Sequence, residues 1–199
     1  MQLKIMDEKI KLLRASFGEE RVKINEDLSN HTYFGQGGIA FGFYIATSTR
    51  ELTNILDLAI QLKIPFFVFG SGTKLVVSSR GFKGLAIKNR SAYIKVAAVK
   101  GKVTTSGIGV EEALVEANSG VSIKKLNDFL KMQGLTAFIG ESSIQATIGG
   151  AIFVDSSLRD ITQKVKVWDD TQLLDIDISK LKISTHVVLS VTLKIKAKS

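Results

Sequence analysis

Residues 65–77 read Pro65-Phe66-Phe67-Val68-Phe69-Gly70-Ser71-Gly72-Thr73-Lys74-Leu75-Val76-Val77. Four consecutive apolar residues, Phe66 to Phe69, have the form of a strand buried on both faces, and they empty directly into a glycine loop. Immediately upstream, Gly42 to Thr47 reads as another strand. Ser48 or Thr49 can cap a helix whose inward stripe is Leu52, Ile55, Leu56, Ala59 and Leu62, and Lys63-Ile64-Pro65 ends it. Strand, helix, buried strand and glycine loop in that order predict a βαβ unit with a right-handed crossover.

Outward from this unit the pattern changes. Leu75 to Val77 and Leu85 to Lys88 read as short strands separated by the turn Arg80-Gly81-Phe82-Lys83. From about Ser91 hairpins take over: Tyr93 to Val99 is expected to turn at Lys100-Gly101-Lys102 into Val103 to Gly107, with Ala113 to Ala117 as a further strand. Ser122 caps a helix that runs through Met132 and stops at Gly134. Val165 to Trp168 turns at Asp169-Asp170, and Leu189, Val191, Leu193 and Ile195 alternate with polar residues along a half-buried strand. The expected fold class is α+β in three parts: a helical arm over 1–34 followed by a polar link, a small βαβ lobe over 35–90, and a larger antiparallel sheet lobe with helices over 91–199.

Composition limits the chemistry. The 199 residues include no Cys and two His, which removes thiolate nucleophiles, Cys-ligated metals and Cys-linked cofactors, so an electrophile or redox centre would have to be borrowed. No uncharged apolar stretch reaches the roughly 18 residues that a membrane span needs. The first twenty residues read as an amphipathic helix rather than a signal peptide, so the expected location is the cytoplasm, away from membranes. The net charge of +8 raises a nucleic-acid-binding module as a competing reading. Residues 1–99 hold 14 basic and 8 acidic side chains, and residues 100–199 hold 13 and 11. The lysines alternate along strands (Lys164 and Lys166, Lys180 and Lys182, Lys194 and Lys196) and are not interleaved with aromatics. That is the pattern of wet strand faces, and no nucleic-acid partner is expected.

Two segments carry the candidate chemistry. In Gly70 to Leu75 the glycines let backbone amides converge on an anionic oxygen, Ser71 and Thr73 add hydroxyls, and Lys74 adds charge. The Walker spacing is absent and a β-type run follows, so the choice lies between a diphosphate cradle of another kind and a plain tight turn. In Glu141 to Ala151, Gly149-Gly150 permits close backbone approach, while Ile144, Ile148 and Ile152 can pack a flat ring. A helix turn packed tightly through its glycines explains the same residues.

Taken together, the segments resemble the flavin-binding region of the UDP-N-acetylenolpyruvoylglucosamine reductase (UDP-N-acetylmuramate dehydrogenase) family and, more broadly, the vanillyl-alcohol-oxidase (PCMH) type of FAD fold. The similarity runs in order along nearly the whole chain. Asn30 to Phe34 with Gly37-Gly38-Ile39-Ala40, the helix from Glu51, Pro65 to Val77 with Gly81-Phe82-Lys83-Gly84-Leu85, Ala117 to Val121, Gly134-Leu135 and Thr147 to Ala151 each match a family segment. The resemblance implies an FAD-dependent oxidoreductase of peptidoglycan precursor synthesis, passing electrons from NADPH through FAD to an enolpyruvyl sugar nucleotide. It implies non-covalent FAD between two lobes, with Gly70, Ser71, Gly72, Thr73, Lys74 and Leu75 on the diphosphate. Gln145, Ala146, Thr147, Gly149 and Gly150 would lie on the diphosphate and flavin side, and Val188 in the late strand would pass the isoalloxazine.

The departures lie on the substrate side. Gln145-Ala146-Thr147 stands where the family has Pro-Gly-Thr, and Asp155-Ser156-Ser157-Leu158-Arg159 replaces Asn-Ala-Gly-Ala-Tyr-Gly, leaving Arg159 as the charged candidate for substrate contact. The passage from Ile178 to His186 lacks the family's Tyr-Arg-x-Ser. The family's C-terminal domain, which supplies the proton-donating serine, has no counterpart among the 199 residues. No catalytic residue is assigned on this reading. The expectation is an FAD-binding flavoprotein of this reductase type without full reductase activity in this chain alone; it is read as a small flavoprotein with a different acceptor, a subunit completed by a separate partner chain, or a non-catalytic flavin binder, with self-association as a way to cover exposed surface.

Overall fold

The computed structural model describes residues 2–104, 107–137, 139 and 145–197. The chain divides into two compact units, Met1–Ser91 and Ala92–Ser199. In the first, α1 (Gln2–Phe17) leads to β1 (Val22–Asp27), a 3₁₀ turn over Leu28–His31, β2 (Ile39–Ala46), α2 (Thr49–Gln61), β3 (Phe66–Phe69) and β4 (Phe82–Asn89). Ser48 caps α2 by accepting from the Glu51 amide, and Leu52, Ile55, Leu56 and Ala59 are its buried stripe.

The sheet order is β1-β2-β4-β3, with β2, β4 and β3 parallel and β1 antiparallel to β2. The last strand in sequence therefore sits between the two strands of the βαβ unit. Adjacent registers define two faces. Gly42, Tyr44, Leu85 and Ile87 point one way, where α1 packs Ile10 on Gly42 and Phe17 edge-on against Tyr44. Phe43, Phe67, Phe69 and Ala86 point the other way, under Leu28, Leu75 and Val77.

Three readings of this unit are corrected. The polar link after the arm contains β1, whose alternation is interrupted by Asn25 at φ 52. Strand β3 lies at the sheet edge, and only Phe69 of its four residues is buried. Leu75 to Val77 form no strand: Leu75 and Val77 pack on the Phe43 and Phe69 cluster while Val76 is exposed, so their alternation is met by packing without a ladder.

The second unit contains β5 (Ile94–Thr104), β6 (Gly107–Asn118), α3 (Ile123–Met132), β7 (Leu135–Thr136), α4 (Ile148–Ala151), α5 (Ser156–Ile161), β8 (Thr162–Asp169), β9 (Gln172–Ile176) and β10 (Val187–Ala197). The antiparallel order is β5-β6-β10-β8-β9, with β7 pairing the end of β10. Ala113, Val115, Val191, Leu193, Val165 and Val167 join Leu126, Ile148, Ile152 and Leu158 of the helices in one core. Ser122 caps α3 and Gly134 takes φ +67 just past its end.

The turn expected at Lys100-Gly101-Lys102 is not there. Strand β5 continues through it with a register shift between Lys100 and Gly101, so the glycine marks a bulge instead of a hairpin end. The outer sheet face carries ion pairs Lys95–Glu116 (3.0 Å), Lys100–Glu111 (3.1 Å) and Lys194–Glu112 (3.2 Å). No helix among the described residues is long and apolar enough to cross a membrane.

Candidate functional site

The glycine loop leaves β3 at its carboxyl end, on the face that carries Phe43 and Phe69. Gly72 is buried at φ +77, and a Cβ added there would lie 2.3 Å from the His31 carbonyl oxygen. Only glycine fits this crossing. The Tyr33 amide donates to the Gly72 carbonyl at 3.1 Å, and the Leu75 amide donates to the same oxygen at 3.4 Å. His31, which sets the far side of the crossing, is held from two directions. Its ring stacks on Phe43 with centroids 4.2 Å apart, and its Nε2 lies 2.8 Å from Glu26 Oε1. The Glu26 carboxyl sits below its ordinary range even though burial opposes ionisation, because His31 and Lys23 both bond it.

The loop's polar side chains are at least partly exposed. The Ser71 and Thr73 hydroxyl oxygens are 3.3 Å apart, Lys74 is exposed, and the amides of Ser71, Gly72, Thr73 and Lys74 have no acceptor among the described residues. Four consecutive amides without acceptors among the described residues, two hydroxyls and a lysine form a donor set suited to a polyanion. A diphosphate fits what the residues offer.

In the second unit, Glu141 to Ile144 lie outside the described residues, and the rest of that segment docks on Ser119 to Ile123. The Ile123 amide donates to the Ala146 carbonyl, the Ile148 amide to Val121, and the Gly149 amide to Ser119, each at 2.8 Å. Ala146 and Thr147 are buried, Gln145 is exposed, and a Cβ on Gly149 would fall 2.9 Å from Ser119 Cβ. Among the described residues, the same position on Gly150 meets only Thr147 Oγ1 within 4 Å, at 3.9 Å. Gly149 is thus explained by packing, as the tight-packing reading of this segment expected, whereas no described residue crowds Gly150.

Val188 joins this corner: the Ser119 amide donates to the Leu189 carbonyl at 2.9 Å, and Val188 itself is buried in the unit's core. Arg159 donates to the Ile152 carbonyl at 3.3 Å, beside the end of α4. His186 approaches Asp169 at 3.6 Å and accepts from the Lys182 amide at 3.1 Å, and Trp168 is buried.

One polar residue of the first unit escaped the sequence reading. Lys88, at the carboxyl end of β4, stands in register between Ile45 and Phe69, with its Nζ 5.8 Å over the Phe69 ring. Burial lowers the pKa of this ammonium, and Arg90 adds to the effect. In sequence it belongs to Lys88-Asn89-Arg90, which looks like surface charge; only the central placement of β4 reveals it.

This pairing of a parallel-sheet unit bearing a glycine loop with an antiparallel unit defines the FAD-binding fold of the vanillyl-alcohol-oxidase type. Solved structures sharing it include p-cresol methylhydroxylase (TM-score 0.64, 10% identity, covering 98% of this chain and 44% of that one). UDP-N-acetylenolpyruvylglucosamine reductase from Thermus caldophilus shares it too (TM-score 0.62, 19% identity, 89% of this chain and 62% of that one). The chain belongs to the FAD binding domain family, whose profile matches residues 42–163. Its cofactor is FAD.

Among characterised sequences it is 31% identical over 163 residues to the UDP-N-acetylenolpyruvoylglucosamine reductase of Caldanaerobacter subterraneus subsp. tengcongensis, covering 79% of this chain and 50% of the relative. With the reductase of Clostridium perfringens strain 13 the figures are 28% over 150 residues, 75% and 45%. The chain spans about half the length of these relatives.

Proposed function

We propose that the chain is the FAD-carrying part of an oxidoreductase of the UDP-N-acetylenolpyruvoylglucosamine reductase type, taking electrons from NADPH and serving peptidoglycan precursor synthesis in the cytoplasm. The observation that carries this reading is the similarity to those reductases over 163 residues, on top of the family match. When bound, FAD supplies hydride chemistry, and the protein contributes binding, orientation and electrostatics.

In this reading the amides of Ser71 to Lys74 and the Ser71 and Thr73 hydroxyls hold the diphosphate. The crossing of Gly72 with His31 keeps those donors in place before the ligand arrives, so less ordering cost is met on binding. Gln145 to Gly150 and Val188 serve the flavin side, where Gly150, without a side chain, lets backbone approach a ring. Arg159 belongs to the substrate side. FAD is held non-covalently: the chain has no Cys, His31 Nε2 is engaged by Glu26, and His186 Nδ1 by the Lys182 amide.

The test begins with the absorption spectrum of the purified protein. Flavin bands, with FAD released into the supernatant by heat, are expected; a colourless protein that takes up no added FAD would refute the reading. Anaerobic NADPH should then bleach the flavin, and the enolpyruvyl sugar nucleotide should restore its colour without oxygen. Reoxidation by oxygen alone would reduce the reading to a flavin-binding subunit.

A further inference from the structure

The loop at Gly70 to Leu75 offers one lysine, Lys74, and it is exposed at the tip. A diphosphate carries about two negative charges, and in the half-buried setting at the root of the loop an unmatched charge is costly. Strand register supplies a second cation. Lys88 is paired with Phe69, the residue directly before Gly70, and it points to the same sheet face as Phe43 and Phe69, over which the loop folds back through Leu75 and Val77.

Its surroundings do not account for a charge there. The flanking residues in register are Ile45 and Phe69, Arg90 is the charged group that acts on it, and no carboxylate pairs with it among the described residues. Lys95, Lys100 and Lys194, which are more exposed on their strands, pair with carboxylates. Half-burying an ammonium among apolar side chains lowers stability unless an anion arrives. The ring of Phe69 offers a partial substitute, since an aromatic face stabilises a cation weakly in comparison with a phosphate.

We propose that Lys88 is a binding residue for the FAD diphosphate, the second cation of the site, held at the root of the glycine loop while Lys74 acts at its tip. The proposal rests on the placement of the diphosphate at that loop, and the experiment separates the two. Apoprotein of the full chain is titrated with FAD and with riboflavin, which has no phosphate, in low and high KCl.

In Lys88→Met the FAD dissociation constant should rise about tenfold, the gain in affinity at low KCl should shrink, and riboflavin binding should stay within twofold of wild type. Lys88→Arg should keep FAD affinity within about threefold, and Lys88→Gln repeats the test should the methionine variant not fold. FAD affinity unchanged in Lys88→Met, or an equal loss for FAD and riboflavin, overturns the proposal. Gly72→Ala addresses the loop itself: a folded variant with unchanged FAD affinity overturns the loop placement. Weakened binding in Gly72→Ala beside unchanged binding in Lys88→Met overturns the role of Lys88 alone.

Discussion

The Glu51 carboxylate ties Arg21 and Thr47 together at one corner of the first unit, and replacing it by glutamine tests how that corner is held. Its Oε2 accepts from the Thr47 amide at 2.8 Å and the Thr47 hydroxyl at 2.9 Å, and lies 3.0 Å from the Arg21 guanidinium. Those contacts join the start of β1, the end of β2 and the first turn of α2. The Arg21 guanidinium, against the opposing effect of burial, carries the carboxyl down to about 2 from an ordinary 4.5.

That depression corresponds to about 3 kcal/mol of stability at neutral pH as an upper limit. Arg21 is 43% exposed, and its screening by water brings the expected loss in Glu51→Gln to about 2 kcal/mol. The folded-state value lies below the unfolded one, so the contribution is complete above about pH 4.5 and disappears as the pH falls towards about 2. Urea unfolding of wild type and Glu51→Gln at pH 7 and at pH 3 should give a difference of about 2 kcal/mol that at least halves at the lower pH. An equal difference at both pH values, or none at pH 7, would refute the charge-based account and leave only packing.

The remaining expectations concern single positions. Gly149→Ala should cost about 1–3 kcal/mol in urea unfolding, since its Cβ meets Ser119 at 2.9 Å, whereas Gly150→Ala should leave stability nearly unchanged and instead weaken flavin binding. Thr171 holds φ 70 beside Asp170 at φ 43 in the β8–β9 turn, so Thr171→Gly should raise the unfolding free energy by about 1 kcal/mol; no gain would mean the turn relaxes at no cost. The Tyr44 hydroxyl is buried with Arg21 beside it but without a well-aligned hydrogen bond among the described residues, so Tyr44→Phe should change stability by less than about 1 kcal/mol, a larger loss counting against this. Because burial lowers the Lys88 ammonium's pKa and the cation is the binding form, FAD affinity should fall at alkaline pH more steeply in wild type than in Lys88→Met.

What the sequence made legible was local. The Ser48 cap and the stripe from Leu52 to Ala59 specify α2 because capping and helical periodicity act within a few residues, and Ser122 to Gly134 frames α3 for the same reason. The glycine loop was legible because Gly70 and Gly72 follow a short apolar run directly. What stayed hidden depends on which strand lies beside which. Nothing within Phe66–Phe69 marks it as an edge strand, and nothing within Lys88-Asn89-Arg90 marks its lysine as half-buried; both follow from β4 entering between β2 and β3. The run Leu75 to Val77 misleads because a loop that covers aromatic rings needs the same alternation as a strand.

The insertion of β4 between its two predecessors also sets an order of events during synthesis. Until residues 82–89 have emerged, β2 and β3 have no shared neighbour, so the βαβ segment cannot close its ladder and the glycine loop has no fixed root. The ladder of the first unit therefore closes only when β4 pairs with β2 and β3 together. Mutations that slow the docking of β4 should delay flavin uptake in refolding even where the mature affinity is unchanged.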